Sequence, residues 1–101
     1  MADTNGNQPS LEEQIGTWLR RRGWKLVVAE SCTGGLVSHR MTDVPGSSDY
    51  FLGSLVSYAY EAKEQWLGVR HDTLERCGAV SKDVVLEMAR GARQSLAAAF
   101  S

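Results

Sequence analysis

Trp24 to Ala29 (WKLVVA) is a short, β-rich and nearly continuous apolar run, and it leads straight into Glu30-Ser31-Cys32-Thr33-Gly34-Gly35. A run of that length bounded by turn residues reads as a buried strand rather than a helix. A helical stretch containing Leu36, Val37, Arg40 and Met41 follows the turn. Strand, glycine-containing turn and helix in this order bring backbone N–H groups to a helix N-terminus, facing whatever binds there. The arrangement belongs to parallel α/β architecture, and it asks for further strands.

The flanking segments add helices. Ser10-Leu11-Glu12-Glu13 is a capping box, with a hydroxyl at the N-cap and a carboxylate three residues later. Leu11, Ile15, Trp18 and Leu19 then form one apolar stripe, and Gly23 stands where a left-handed residue closes a helix. Asp43 to Ser48 is loop by composition, and Gly53 to Ala59 (GSLVSYA) reads as a second strand. Helical character returns over Glu61 to Leu67, closed by Gly68, and over about Asp72 to Cys77, closed by Gly78. A last helix begins at a Ser81 N-cap and presents Val85, Met88, Ala89, Ala92, Leu96 and Ala99 on one face. The expected inventory is five helices and two convincing strands. Two strands do not stand alone as a sheet without strong support. The pattern therefore predicts a sheet completed by further residues or by a second subunit.

Bulk properties narrow the function. At 101 residues the chain has room for one modest core, and no apolar run reaches the roughly 20 residues of a membrane span. Residues 1–9 are polar, without the basic and apolar regions of a signal peptide, and are expected to be a disordered leader. A net charge of −1 offers no general attraction to nucleic acid or anionic lipid. The one basic cluster, Arg20, Arg21 and Arg22 with Lys25 nearby, suits a helix C-terminus in water. Cys32 and Cys77 lack CxxC spacing and no Cys/His cluster suggests a metal, so the expected compartment is a reducing cytoplasm.

Two constellations can carry chemistry. Ser31 sits just past a strand and just before a helix, where a hydroxyl is exposed as a nucleophile. The N–H groups of Cys32 to Gly35 could form an oxyanion hole or phosphate cradle around it. The same residue types also build any N-capping turn. A serine needs a base, for which His39 and His71 are candidates, and Cys32 is a rival nucleophile. The second constellation is Ser57-Tyr58-Ala59-Tyr60-Glu61-Ala62-Lys63, where the second strand gives way to a helix. If the two strands are parallel, it lies on the same sheet edge as Ser31. A lysine in a first helical turn has its pKa lowered towards that of a usable base, unless it simply pairs with Glu61 or Glu64 in water.

Both constellations occur in order in the CinA C-terminal family, which this chain resembles from about Ser10 to its end. Ala29 to Gly35 (AESCTGG) resembles the opening signature, followed by Thr42 to Ser48 (TDVPGSS) with Tyr50-Phe51. Val56 to Lys63 (VSYAYEAK), Leu67-Gly68-Val69 and Gly78 to Ser81 (GAVS) follow at family-like spacing. The resemblance implies a three-layer α/β/α domain over residues 10–101, with an incomplete sheet, and a nicotinamide mononucleotide amidohydrolase releasing ammonia. It implies Ser31 as nucleophile, Lys63 as general base and Tyr58 assisting proton transfer or orienting the lysine. Thr33, Gly34 and Gly35 would contact substrate, with Glu30 in a binding or structural role. Neither metal nor organic cofactor is implied, and relatives associate as dimers.

Two departures qualify the match. Tyr60 stands where many relatives have Asn. The family also continues past the last matched helix with a strand, a Gly-Ile-Ala-Gly-Pro loop and further strands, so these 101 residues are expected to hold part of the pocket. Alternatives to the enzyme are a non-catalytic nucleotide-binding relative and an interaction module with an open sheet edge.

Overall fold

The structure, a computed structural model, describes residues 8–100; residues 1–7 of the expected leader lie outside it, as do the side chains of 97–100. The elements run α1 (Leu11–Arg22), β1 (Leu26–Glu30), α2 (Leu36–Thr42), a 3₁₀ turn (Ser47–Asp49), β2 (Phe51–Val56), α3 (Tyr60–Leu67), α4 (His71–Cys77) and α5 (Lys82–Phe100). The two strands are parallel, with Ala29 beside Leu55 and Glu30 beside Val56. Helices cover both faces, giving the expected α/β/α layering. On one face Leu19, Met41 and Tyr50 are buried against Ile15, Leu26 and Phe51. On the other, Leu67, Val69, Leu74, Val84, Met88 and Ala92 pack on Val27, Ala29 and Leu55. Side chains alternate along each strand, so each face of this narrow sheet has its own core.

The capping box forms as the residues predict: the Ser10 hydroxyl accepts from the Glu13 N–H at 3.1 Å, and Glu13 accepts from the Ser10 N–H at 2.9 Å. Ser81 caps α5, accepting from the Val84 N–H at 3.3 Å. Three expectations change. The second strand is Phe51–Val56 instead of Gly53–Ala59, because Ser57 and Tyr58 leave the sheet to aim their carbonyls at Lys63. The first strand begins at Leu26, since Trp24 remains exposed and stacks edge-on against Trp18 at 5.2 Å. On α5 the core takes Val84, Met88 and Ala92, whereas Val85 is 58% exposed, so the buried stripe is rotated from the expected one.

One close approach holds α3 against α5. A Cβ on Gly91 would lie 1.8 Å from the Leu67 carbonyl oxygen, so only glycine lets the helices meet there. That contact fixes the helix carrying Lys63. None of the described helices is long and apolar enough to cross a membrane.

Candidate functional site

The parallel pairing places the C-terminal ends of β1 and β2 side by side, and each end delivers one half of the site. After Glu30 the chain turns through Ser31 to Gly35, and after Val56 it turns through Ser57 to Ala59 into α3. The Ser57 N–H donates to the Glu30 carbonyl at 2.9 Å and ties the two turns together. Gly34 (φ +65°) and Gly35 (φ +115°) lie in left-handed backbone, which lets the first turn reverse tightly into α2.

Lys63 is 1% exposed, although it lies in the first turn of a helix that starts at Tyr60. Its Nζ donates to the Ser57 carbonyl at 2.7 Å, the Tyr58 carbonyl at 3.0 Å and Ser31 Oγ at 2.9 Å. Burial lowers its pKa from the ordinary lysine value, and the nearby Cys32 sulfur acts in the opposite direction. No carboxylate is among its hydrogen-bond partners, so the expected alternative of a lysine solvated against Glu61 or Glu64 does not occur. Neither histidine reaches Ser31. His39 lies 3.7 Å from Asp43, and His71 bridges Glu64 and Glu75 at 3.1 and 3.0 Å.

Tyr58 meets Lys63 through its backbone. The residue is 77% exposed, and the contact comes from its main-chain carbonyl. Tyr60 is 45% exposed and does not line the cleft beside Ser31.

Glu30 has a structural task. Its carboxylate, 5% exposed, accepts from Thr33 Oγ1 at 2.7 Å, Val37 N at 2.8 Å and Ser38 N at 3.0 Å, and also from the Ser38 hydroxyl. It thereby caps α2 from the preceding strand, a position no capping motif marks in the sequence. Burial works to raise its pKa, but these hydrogen bonds outweigh it and hold the pKa below the usual value. The expectation of Glu30 as a substrate contact is corrected accordingly: its oxygens are saturated within the fold. The expected phosphate cradle shrinks as well. The first free N–H groups of α2 are taken by Glu30, and the Gly34 N–H donates to the Ser31 carbonyl at 3.1 Å. Among the described residues the N–H groups of Cys32, Thr33 and Gly35 have no acceptor, and of these three residues Cys32 and Thr33 line the cleft beside Ser31.

A cleft of about 260 Å³ opens beside Ser31, lined also by Cys32, Thr33, Val37, Val80, Val85 and Met88. The contribution of Val80 and Val85 was illegible in the sequence, where Val85 reads as core. A larger hollow of about 460 Å³, between Ile15, Trp18, Leu19 and Leu26, contains no titratable group and lies away from this chemistry. Among the described residues no three His, Cys, Asp or Glu side chains gather as metal ligands.

An α/β/α domain that brings a turn serine and a buried lysine together at one sheet edge is thus the class this chain falls in. Residues 8–101 match the CinA C-terminal domain, and the chain belongs to that family. It is 54% identical over 87 residues to a putative competence-damage inducible protein of Moorella thermoacetica, covering 86% of this chain and 21% of that protein. A CinA-like protein of Chlorobium phaeobacteroides is 54% identical over 85 residues, covering 84% of this chain and 20% of the relative. Among solved structures, the competence/damage inducible protein CihA of Agrobacterium tumefaciens superposes with a TM-score of 0.80 at 40% identity, over 83% of this chain and 51% of that one. A CinA superfamily protein from Escherichia coli gives 0.82 at 32% identity, over 83% and 49%. The chain thus spans about a fifth of the length of the curated relatives it matches, and about half of the solved ones.

Proposed function

We propose that this chain carries the chemistry of a serine amidohydrolase acting on nicotinamide mononucleotide, yielding nicotinate mononucleotide and ammonia. The observation that carries this reading is Lys63, buried with its Nζ 2.9 Å from Ser31 Oγ and with two carbonyls as its other partners. A neutral amine has two N–H bonds and one lone pair. Lys63 Nζ donates to all three partners in the structure; once the amine is neutral, two N–H bonds stay on the Ser57 and Tyr58 carbonyls and the third contact reverses, the lone pair accepting from the Ser31 hydroxyl. Burial lowers the pKa of Lys63 and so eases access to the neutral form that the scheme uses.

The reaction then follows. Ser31 Oγ attacks the carboxamide carbon as its proton passes to Lys63, and the developing oxyanion is met by turn N–H groups such as those of Cys32 and Thr33. Lys63 returns the proton to the departing nitrogen, ammonia leaves, and an acyl-serine remains. Water, deprotonated by Lys63, releases the carboxylate and restores Ser31. The first proton transfer uses a pair already in hydrogen-bond reach, Ser31 and Lys63, and the scheme requires no metal or organic cofactor.

We further propose a cytoplasmic homodimer or higher homo-oligomer, since two free thiols suit a reducing compartment and each strand keeps one unpaired edge among the described residues. Sedimentation equilibrium tests the association. For the reaction, ammonia release from nicotinamide mononucleotide by the purified chain is the test, with Ser31→Ala as control. Release that vanishes in the control supports the scheme, and equal release from both proteins refutes it.

A further inference from the structure

The cleft beside Ser31 is divided by chemistry. Its polar side comes from the Ser31 to Thr33 turn, and the Glu30 carboxylate beneath is saturated by Thr33, Val37 and Ser38. The opposite side is aliphatic: Ala79 and Val80 from the α4–α5 connection, Val85 and Met88 from the first turns of α5. Of these, Val80 is 85% and Val85 58% exposed, whereas Val84 and Met88 are buried and do the packing that holds α5. Val85 is therefore free of core duty. The part of the cleft that these residues line, about 260 Å³, has room for a ring with its carboxamide.

Resting on the hydrolase reading above, we infer that Val80 and Val85 form the wall that receives the substrate's ring, and so determine specificity for planar aromatic carboxamides over aliphatic ones. A carboxamide carbon held at Ser31 Oγ puts its substituent in the cleft that Val80 and Val85 also line. A flat ring covers both valines at once and removes their exposed apolar surface from water, which a short alkyl chain does only in part. Apolar pockets discriminate by amounts of this kind, so replacing Val85 by the polar Asn weakens an aromatic amide about tenfold.

The test is equilibrium binding by methyl NMR on the full chain, with nicotinamide, benzamide and propionamide as probes. The inference requires both aromatic amides to shift the Val80, Val85 and Met88 methyls and to bind more tightly than propionamide. Val85→Asn and Val80→Asn, both at exposed positions and checked for native circular dichroism, then weaken the aromatic amides about tenfold and leave propionamide unchanged. Equal affinity for aromatic and aliphatic amides, or indifference of both variants, overturns it. Turnover separates the two readings. Val85→Asn raises KM for nicotinamide mononucleotide about tenfold at constant kcat. Ring binding without ammonia release from the wild type sinks the hydrolase reading and leaves the wall standing; ammonia release indifferent to both valines does the reverse.

Discussion

Glu30→Gln changes one oxygen into an amide nitrogen while keeping the shape of the side chain. Thr33 and Val37 donate to one carboxylate oxygen, and the Ser38 N–H and hydroxyl donate to the other. Whichever way the amide turns, its NH₂ meets one backbone N–H, which cannot accept, and one hydroxyl, which can turn to accept, so one of the four hydrogen bonds is lost and the charge behind the others is removed. A hydrogen bond to a charged group contributes about 1.5–3 kcal/mol, so the expected cost is at least about 1.5–3 kcal/mol. Against a total of about 5–15 kcal/mol for a domain, such a loss is obvious in urea unfolding followed by circular dichroism. The pH dependence supplies a second reading. Because the folded pKa of Glu30 is lowered from 4.5, its contribution is fully present above the unfolded value and fades as pH falls through the folded one. The gap between wild type and Glu30→Gln is therefore constant near neutrality and narrows in acid, below about pH 4.5. A cost under about 1 kcal/mol, or a gap that is flat in acid, would show that the carboxylate does not hold the turn as argued.

Lys63→Met removes the base and leaves the Ser57 and Tyr58 carbonyls without their donor: hydrolysis falls by a factor of about 10³ or more, and urea unfolding shows a loss of about 1–3 kcal/mol. The lowered pKa of Lys63 makes wild-type stability increase as pH rises from the folded value towards 10.5, where the unfolded chain binds more protons, and the methionine variant lacks that increase in titrations of unfolding free energy. Gly91→Ala puts a methyl against the Leu67 backbone and costs about 3 kcal/mol or more, read as a lowered urea midpoint; a change within about 0.5 kcal/mol refutes the close packing. Tyr50→Phe removes a hydroxyl that is buried without a hydrogen-bond partner among the described residues, and thermal unfolding is expected to show a gain of up to about 1 kcal/mol.

Much of the local structure was legible along the chain. The Ser10 capping box, the Ser81 cap and the passage from the first strand into its turn at Glu30 depend on residues within a few positions of one another, where propensity and periodicity act. The errors share a cause. Val85 satisfies the same helical period as Val84 to within one residue, and only the direction from which the sheet approaches α5 decides which is covered. Trp24 has the composition of a strand residue but stacks on Trp18, a contact that needs α1 in place.

Sequence by itself determined the elements, their order and the two candidate groups, since Ser31 and Lys63 each stand at a strand-to-helix turn. Tertiary structure decided which partner each group has. Parallel pairing of β1 and β2 brought residues 32 positions apart to 2.9 Å, left both histidines at a distance, and set the Tyr58 carbonyl against Lys63. It also turned Glu30 from a potential ligand contact into the cap of the helix behind the nucleophile. The physical reason is that a hydrogen bond or a desolvation cost depends on distance and burial, and a one-dimensional pattern carries neither until the sheet sets them.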